Sequence, residues 1–260
     1  MIYICKILNL IYYFILIHFF QKKAFLKDLI PSNHIDFHSH LLPGIDDGAQ
    51  TIDDTFYLIN ELKNLGFEQC ITTPHIMKSV WENTKMGIES NLTNTIIELD
   101  KNNIQIPLKA AAEYLIDSNF VKLFQSEPLL VLKDNYVLIE MSYLNPPIQL
   151  YDIIFELQVE GYQPVLAHPE RYTFYHYNFN EYEKLKNAGC LFQLNLLSII
   201  GYYGVDVAKT AEKLLSKGLI DYVGSDVHHQ NHIAGFLKRV VIKDIKPLKI
   251  AIENNQFFRF

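Results

Sequence analysis

Six strand-like apolar runs in this sequence each end in a histidine or an acidic residue. At the first of them, His38 and His40 lie two residues apart, and Asp47 follows in a short loop. Because alternate side chains of a strand share a face, the two imidazoles are predicted to point the same way. The candidate ligands at the six sites are His38, His40, Asp47, His75, Glu113, Glu140, His168, Asp226 and His228.

Packing alone does not explain these polar residues, because burial of an unpaired charge costs several kcal/mol. A single one could be a solvated residue at a strand end, but six such sites in one chain favour a shared metal centre. Nine groups are too many for one ion. Imidazole and carboxylate ligands without thiolate suit manganese, iron or zinc. We expect two or three ions, with a shared carboxylate such as Glu113 bridging neighbouring metals.

Segments with helical spacing of apolar residues separate the runs. The predicted helices span residues 51–65, 88–100, 119–124, 150–160, 180–188, 207–217 and 245–254. A first strand ends near His40, and the other predicted strands span 69–73, 106–112, 136–141, 164–167, 191–196 and 220–223. Alternation of strands and helices predicts an α/β fold with a parallel sheet, most simply closed as a seven-stranded barrel. In such barrels the functional residues lie at the carboxyl ends of the strands, where all six sites fall.

The chain has 260 residues, a length that α/β barrels reach as one unit. We expect one domain at residues 30–260, preceded by an apolar extension at residues 1–29. This extension is interpreted either as a membrane-associated anchor or as a peripheral or disordered segment. Its apolar core is short for a spanning helix. Its basic residues follow the apolar run, whereas those of a secretory signal precede it. If it inserts, its lysines favour a cytoplasmic domain tethered to the inner face of the membrane.

Charge and cysteine content exclude several classes of protein. The formal net charge of −6 argues against a nucleic-acid partner, which requires basic surface. Cys5, Cys70 and Cys190 are scattered, so a disulfide framework or a thiolate zinc site is not expected and a reducing compartment fits. None of the three is followed six residues later by arginine, as a thiol-dependent phosphatase requires. Any phosphatase chemistry is therefore expected to depend on metals.

The order of the motifs resembles one known superfamily. In chain order the motifs are His38-Ser39-His40, Ile45-Asp46-Asp47-Gly48, Thr73-Pro74-His75, Ala112-Glu113-Tyr114, Ile139-Glu140, His168-Pro169-Glu170-Arg171 and Gly224-Ser225-Asp226-Val227-His228. They are similar to those of the polymerase and histidinol phosphatase (PHP) superfamily, and more narrowly to the bacterial manganese-dependent tyrosine-protein phosphatases of capsule and exopolysaccharide loci. The resemblance covers about residues 30–255. It implies a distorted seven-stranded barrel, a trinuclear metal centre and a substrate phosphotyrosine in the tail of a polysaccharide-assembly tyrosine kinase.

The resemblance also implies roles for individual residues. By motif position the nine candidates match the family's metal ligands, and Arg171 matches a phosphate-binding arginine. We assign Arg171, Asp47 and Asp226 to catalysis. A hydroxide that bridges the metals is expected to attack phosphorus while Arg171 holds two non-bridging oxygens. The alternative for Arg171 is a structural ion pair with the neighbouring Glu170.

One motif departs from the family's pattern. Many relatives carry a further arginine after the last motif, where this chain has residues 229–232, and His232 or Arg239 is the candidate to replace it. Asp36 is expected to orient a ligand imidazole through its second nitrogen. Tyr143, on a predicted active-site loop, either flanks the substrate's phenyl ring or packs within the loop.

Two other enzyme classes compete with the protein-tyrosine phosphatase. A phosphatase for a small ester such as histidinol phosphate would share the metal chemistry, and a deep site would favour it over a protein substrate. A metal-dependent amidohydrolase is weaker, because such enzymes commonly bridge their metals with a lysine where this chain offers Glu113 and Glu140. A purely structural metal cluster is disfavoured because the ligand set is complete.

Overall fold

The computed structural model of the protein describes residues 23–260, so most of the predicted extension at residues 1–29 lies outside the described residues. The described strands are β1 His34–Asp36, β2 Phe67–Thr72, β3 His75–Ile76, β4 Leu108–Ala110, β5 Glu113–Leu115, β6 Tyr136–Glu140, β7 Gln163–Ala167, β8 Leu191–Asn195 and β9 Tyr222–Gly224. The α-helices are α1 Ile52–Asn64, α2 Lys85–Lys101, α3 Ser118–Ser126, α4 Leu150–Val159, α5 Asn180–Asn187, α6 Val205–Ser216, α7 Gln230–Gly235 and α8 Lys246–Asn254. The predicted α/β alternation is confirmed.

The strands form two sheets in which every pairing is parallel. The smaller sheet has the order β1-β2-β4, and the larger has the order β3-β5-β6-β7-β8-β9. Residues 73–74 separate β2 from β3, and residues 111–112 separate β4 from β5. Each of the two predicted strands at 69–73 and 106–112 therefore continues, after a two-residue break, into the second sheet. Proline lacks the N–H that a ladder requires, which accounts for the break at Pro74.

Backbone hydrogen bonds also join the far edges of the two sheets. Just beyond β1 and β9, the N–H of Asp226 donates to the carbonyl of His38 at 2.7 Å. The N–H of His40 donates to the carbonyl of Val227 at 2.9 Å, and Ser39 forms a parallel bridge with Val227. These bonds bring the first and last candidate metal motifs side by side.

Local sequence signals set the helix boundaries. Helix α1 begins after Thr51, whose hydroxyl accepts from the N–H of Asp54 while the Asp54 carboxylate accepts from the N–H of Thr51. This reciprocal capping satisfies N–H groups that the first turn leaves free. The helix ends before Gly66, which has φ +104°, a conformation that only glycine adopts readily. Leu58 and Leu62 on its inner face are fully buried.

The ends of the chain pack against the same core. Leu26, inside the predicted extension, is fully buried and its N–H donates to the carbonyl of Lys238 at 2.9 Å. At the other end, the ring of Phe258 lies 4.1 Å from that of Phe37, on strand β1's continuation. Across residues 23–260, no helix is both long and apolar enough to cross a membrane.

Asn255 connects the C-terminal segment to the first and last strands. Its buried amide donates to the carbonyls of Ile35 at 2.9 Å and Val223 at 2.8 Å, and its oxygen accepts from the N–H of Val223 at 3.1 Å. We predict that Asn255→Ala lowers the free energy of unfolding by about 3 kcal/mol, because it leaves buried backbone groups unpaired. Urea denaturation measures this change.

The neighbouring Asn254 provides a matched control. Its exposed amide makes one hydrogen bond, to the carbonyl of Asp221. Asn254→Ala should cost about 1 kcal/mol or less. Equal losses in the two variants would contradict the role assigned to Asn255.

Candidate metal centre

The structure brings all nine predicted ligands together at the carboxyl ends of the strands. They form four overlapping groups, and within each group one nitrogen or oxygen per residue lies within 4.8 Å of the others. The groups are His40, Asp47, His75 and His228; His38, Glu113 and His168; His38, His40 and Asp226; and His75, Glu113 and Glu140. Because Glu113 and three histidines each belong to two groups, the arrangement has room for more than one cation.

Glu113 lies at the middle of the cluster. One carboxylate oxygen is 3.2 Å from Nε2 of His38, 3.5 Å from Nε2 of His40 and 3.3 Å from Nδ1 of His75. The other oxygen is 3.1 Å from Nε2 of His168. The strand register contributes directly, because β3 pairs with β5 so that His75 is opposite Glu113. A carboxylate in this position can bridge two cations.

The donor atoms fit a metal site. The buried atoms without a hydrogen-bond partner among the described residues include four that face the cluster: His40 Nε2, His75 Nδ1, Glu140 Oε1 and Asp226 Oδ1. Unpaired buried polar atoms are rare in folded proteins because each loses its hydration without compensation. Two imidazole nitrogens and two carboxylate oxygens aimed into one space are the donors that manganese, iron and zinc accept.

The charges of the cluster shift the pKa values of its members. Burial opposes the charged form of His38, but Glu113 and Asp226 outweigh it and raise its pKa to about 10. Burial likewise opposes protonation of His75, yet the neighbouring carboxylates raise its pKa to about 10. Burial and the nearby Glu113 raise the pKa of Glu140. Negative charge therefore dominates the site and favours bound cations.

His40 and His38 are each oriented by a second residue. Nδ1 of His40 lies 2.7 Å from Oδ2 of Asp46, whose other oxygen accepts from the N–H of Gly48 at 2.9 Å. Nδ1 of His38 lies 2.7 Å from Oε1 of Gln193. An imidazole that donates from Nδ1 keeps Nε2 free for a metal. Asp46 lies in one of the motifs found in the sequence, whereas no motif surrounds Gln193, and its contact with His38 could not be predicted.

The expectation that Asp36 orients a ligand imidazole is wrong. Its carboxylate accepts from the N–H of Ser225 at 2.9 Å and from the Ser225 hydroxyl at 2.6 Å. Burial raises the pKa of Asp36 to about 6, although the bonds from Ser225 oppose the rise. Asp36 therefore supports the loop that carries Asp226, and the partner of His38 comes from β8 instead.

Arg171 pairs with a candidate metal ligand instead of with Glu170. Its Nη1 donates to Oδ2 of Asp226 at 2.7 Å, while Oδ1 of that carboxylate faces the histidines. The guanidinium lies between two rings, with Cζ 4.1 Å from the centre of Tyr203 and 4.9 Å from the centre of Tyr143. Glu170 accepts from the hydroxyl of Ser198 instead.

A cavity of about 250 Å³ opens beside Arg171. It is lined by Tyr143, Arg171, Thr173, Tyr203 and Val207. The Tyr143 hydroxyl is 3.4 Å from Nε2 of His168, so this ring connects the cavity to the metal centre. Tyr203 had not been expected at the site, and its sequence neighbourhood shows no motif that marks it.

Neither candidate for the second phosphate-binding residue lines the cavity beside Arg171. Nδ1 of the buried His232 lies 3.1 Å from the N–H of His228, which donates to it. The guanidinium of Arg239 stacks on Phe25, 4.0 Å from the ring centre. Tyr143, by contrast, belongs to the lining of that cavity, and its hydroxyl lies 3.4 Å from Nε2 of His168.

Backbone geometry at the cluster is unusual in two ways. His168 and Asp226 have φ values of +36° and +50°, in the left-handed region that side chains other than glycine seldom adopt. Gly48 and Gly224 allow close approach, since a Cβ on Gly48 would lie 2.2 Å from the carbonyl oxygen of His40. Close packing thus maintains the candidate ligand loops in backbone conformations that are strained on their own.

Comparison with known proteins identifies the family. Residues 34–244 match the model of the family described as capsular polysaccharide synthesis, CpsB/CapC. The chain belongs to the CpsB/CapC family. This assignment agrees with the resemblance that the motifs indicated.

Relatives in the same family carry phosphatase names. Tyrosine-protein phosphatase YwqE of Bacillus subtilis (strain 168) is 29% identical over 196 residues, which cover 75% of this chain and 77% of YwqE. Tyrosine-protein phosphatase CpsB of Streptococcus agalactiae is 24% identical over 234 residues, or 85% of this chain and 96% of CpsB.

Solved structures agree with these sequence matches. A structure from a crystallographic study of B. subtilis YwqE and Streptococcus pneumoniae CpsB, described as unique metal-dependent tyrosine phosphatases, superposes with a TM-score of 0.72. It is 28% identical, over 78% of this chain and 84% of the other. A histidinol phosphate phosphatase from Lactococcus lactis has a TM-score of 0.50, 12% identity, and coverage of 88% of this chain and 94% of that one, which shows the fold alone.

Gln193 provides a test of the site that leaves every candidate ligand in place. We predict that Gln193→Leu lowers manganese affinity by about 10- to 100-fold, because His38 loses the acceptor that orients it. Titration of metal-free protein, followed by calorimetry, measures the change. Gln163→Leu is the control, since the Gln163 amide bonds the carbonyl of Gly189 outside the cluster. Unchanged affinity in Gln193→Leu would show that His38 needs no such support.

Proposed function

We propose that this chain is a metal-dependent phosphatase that hydrolyses phosphotyrosine in proteins. The observation that carries this proposal is the convergence of nine histidine, aspartate and glutamate side chains on one cluster with Arg171 at its edge. The phosphatase names of the family's relatives support it. The physiological substrate is proposed to be a tyrosine-phosphorylated tail of a kinase that directs polysaccharide assembly.

We infer that two or three ions bind the cluster, with manganese as the first candidate and iron or zinc as alternatives. When bound, the ions supply positive charge to the phosphoryl oxygens and lower the pKa of water to give a nucleophile near neutral pH. Glu113 belongs to two of the four groups, and its two carboxylate oxygens would connect neighbouring ions, whereas each histidine would bind one ion through one ring nitrogen.

Arg171 is proposed to bind and orient the phosphoryl group. One N–H of its guanidinium is engaged by Asp226, which leaves other donors of the planar fork for phosphoryl oxygens. The rings of Tyr143 and Tyr203 restrict the guanidinium from both sides, so little side-chain entropy is lost on binding. The Tyr143 hydroxyl can donate a further hydrogen bond at the edge of the cluster.

The leaving group requires little assistance. The phenol of tyrosine has a pKa near 10, so a phenolate can depart without a strong general acid. We assign no general acid, and Asp36 is excluded from that role because its carboxylate is buried against Ser225.

A protein substrate suits the exposure of the site. Asp47 at the rim has a side chain that is 56% exposed, and Tyr143 is 44% exposed. A phosphotyrosine that projects from a flexible segment can reach groups at this depth. A small ester, by contrast, binds best in an enclosed pocket that buries most of its surface.

We also propose how the fold and the chain are organised. The two sheets are proposed to form one distorted barrel of seven strands. In this barrel, β2 and β3 are two parts of one interrupted strand, and so are β4 and β5. The domain is proposed to begin near residue 23 instead of residue 30, because Leu26 is part of the core. A cytoplasmic location fits the buried free thiols of Cys70 and Cys190.

Activity assays on the purified chain test the proposed reaction. We expect release of phosphate from a phosphotyrosine peptide in the presence of manganese, and loss of that activity with EDTA. Histidinol phosphate and an N-acyl amide are tested alongside. Faster turnover of either, or hydrolysis of the peptide after complete removal of metal, would contradict the proposal.

Asp226→Asn tests the cluster with a nearly isosteric change. Loss of this carboxylate charge should lower kcat/KM for the phosphotyrosine peptide by about 100-fold or more, because charge stabilisation at the reacting phosphoryl group depends on the ions it would hold. The exposed Asp206 provides the control variant Asp206→Asn, which should retain full activity. Wild-type activity in Asp226→Asn would remove this residue from the mechanism.

Arg171→Lys tests phosphate binding, because lysine keeps the charge but lacks the planar fork. We expect KM to rise by about tenfold or more, with metal content unchanged. The control variant is Arg239→Lys, which makes the same substitution at an arginine that also stacks on an aromatic ring but lies outside the cluster. If Arg171→Lys altered only the melting temperature, Arg171 would be structural.

A further inference from the structure

One surface of this acidic protein is rich in positive charge, and the exposed Asp28 adjoins it in sequence. It is formed by residues 23–27 and 236–241, which we call the basic ribbon. The N–H of Leu26 donates to the carbonyl of Lys238 at 2.9 Å, and further backbone bonds join the two segments. Together they contain four basic side chains and no acidic one, in a chain whose formal net charge is −6.

Exposed apolar side chains lie among these charges. The exposed members of the basic ribbon are Lys23, Lys27, Leu237, Lys238, Arg239 and Val241. Leu237 is 56% exposed and Val241 is 45% exposed. Lysine and arginine beside exposed aliphatic groups are the combination that suits the interface of an anionic bilayer, where phosphates attract the cations and apolar groups enter the headgroup boundary.

A strongly apolar stretch of sequence precedes the basic ribbon. Residues 1–20 contain Lys6 as their only Lys, Arg, Asp or Glu, and Lys22 and Lys23 follow them. The carbonyl of Lys23 accepts a hydrogen bond from Arg239, and its amine bonds the carbonyl of Val241. Lys23, the first residue that the structure describes, is thus held in the basic ribbon.

We propose that the basic ribbon docks on the anionic surface of a phospholipid bilayer. An acidic protein segment would complement the four basic residues, but it would give no role to Leu237, Val241 or the adjoining apolar stretch. A bilayer accounts for the positive charge, for the exposed aliphatic side chains and for the adjoining apolar stretch. The inference concerns membrane binding, and it stands or falls independently of the phosphatase reaction.

Vesicle binding by the full-length chain tests this inference. Sedimentation with phosphatidylcholine vesicles is compared with sedimentation with vesicles that also contain phosphatidylglycerol. We expect stronger partition onto the anionic vesicles, and a loss of at least about 25-fold in Lys27→Glu/Lys238→Glu, since each basic residue near such a surface contributes roughly fivefold and the new carboxylates add repulsion. The control is Lys122→Glu/Lys184→Glu, which makes the same charge change on α3 and α5.

The results separate the alternatives. Retained binding in the control, together with hydrolysis of a soluble phosphotyrosine peptide at the wild-type rate in both variants, would support the proposal. Equal partition onto neutral and anionic vesicles, or equal losses in the two double variants, would overturn it. The proposal would also be overturned if Lys27→Glu/Lys238→Glu bound vesicles normally but no longer bound a polyglutamate peptide. That result would indicate that the basic ribbon binds an acidic protein.

Discussion

The buried carboxylate of Glu113 lies within 3.5 Å of imidazole nitrogens from four histidines, on three different segments of the chain. A carboxylate in such a position is stable only if positive charge surrounds it, because burial removes its hydration. The same requirement applies to Glu140 and Asp226, which are also buried. The carboxyl ends of the strands must therefore either hold cations or keep histidines protonated, and the raised pKa values of His38 and His75 show how strong this demand is.

The residues around the ligands explain how the cluster keeps its shape. Asp46 and Gln193 fix the two imidazoles of the first motif through their outer nitrogens. Asn195 donates to Asp226 at 2.8 Å and to the hydroxyl of Tyr203 at 3.1 Å, so it links the ligand to the ring that stacks on Arg171. The candidate metal centre and the proposed phosphate-binding arginine are thus in direct contact, because Asp226 faces the histidines with one oxygen and Arg171 with the other.

Most of the fold could be predicted from periodicity, but its interruptions could not. The helix predicted at 150–160 is α4 at Leu150–Val159, and the strand predicted at 136–141 is β6 at Tyr136–Glu140. Helix α7 at Gln230–Gly235 was not predicted, since its only apolar side chains are Ile233 and Ala234, which form no repeating stripe. The division of the strands into two sheets depends on pairing between distant segments, which local patterns do not encode.

The sequence by itself determined which side chains can bind metal and at which end of the strands they lie, because strand alternation and parallel topology both follow from local patterns. Only the tertiary structure decided their partners. Gln193, Asn195 and Tyr203 are ordinary polar residues in sequence, and they act at the site because β8 and the segment after it pack beside β9. Arg171 likewise pairs with Asp226 instead of its neighbour Glu170, since the fold brings this buried carboxylate, 55 residues away in sequence, within 2.7 Å of the guanidinium.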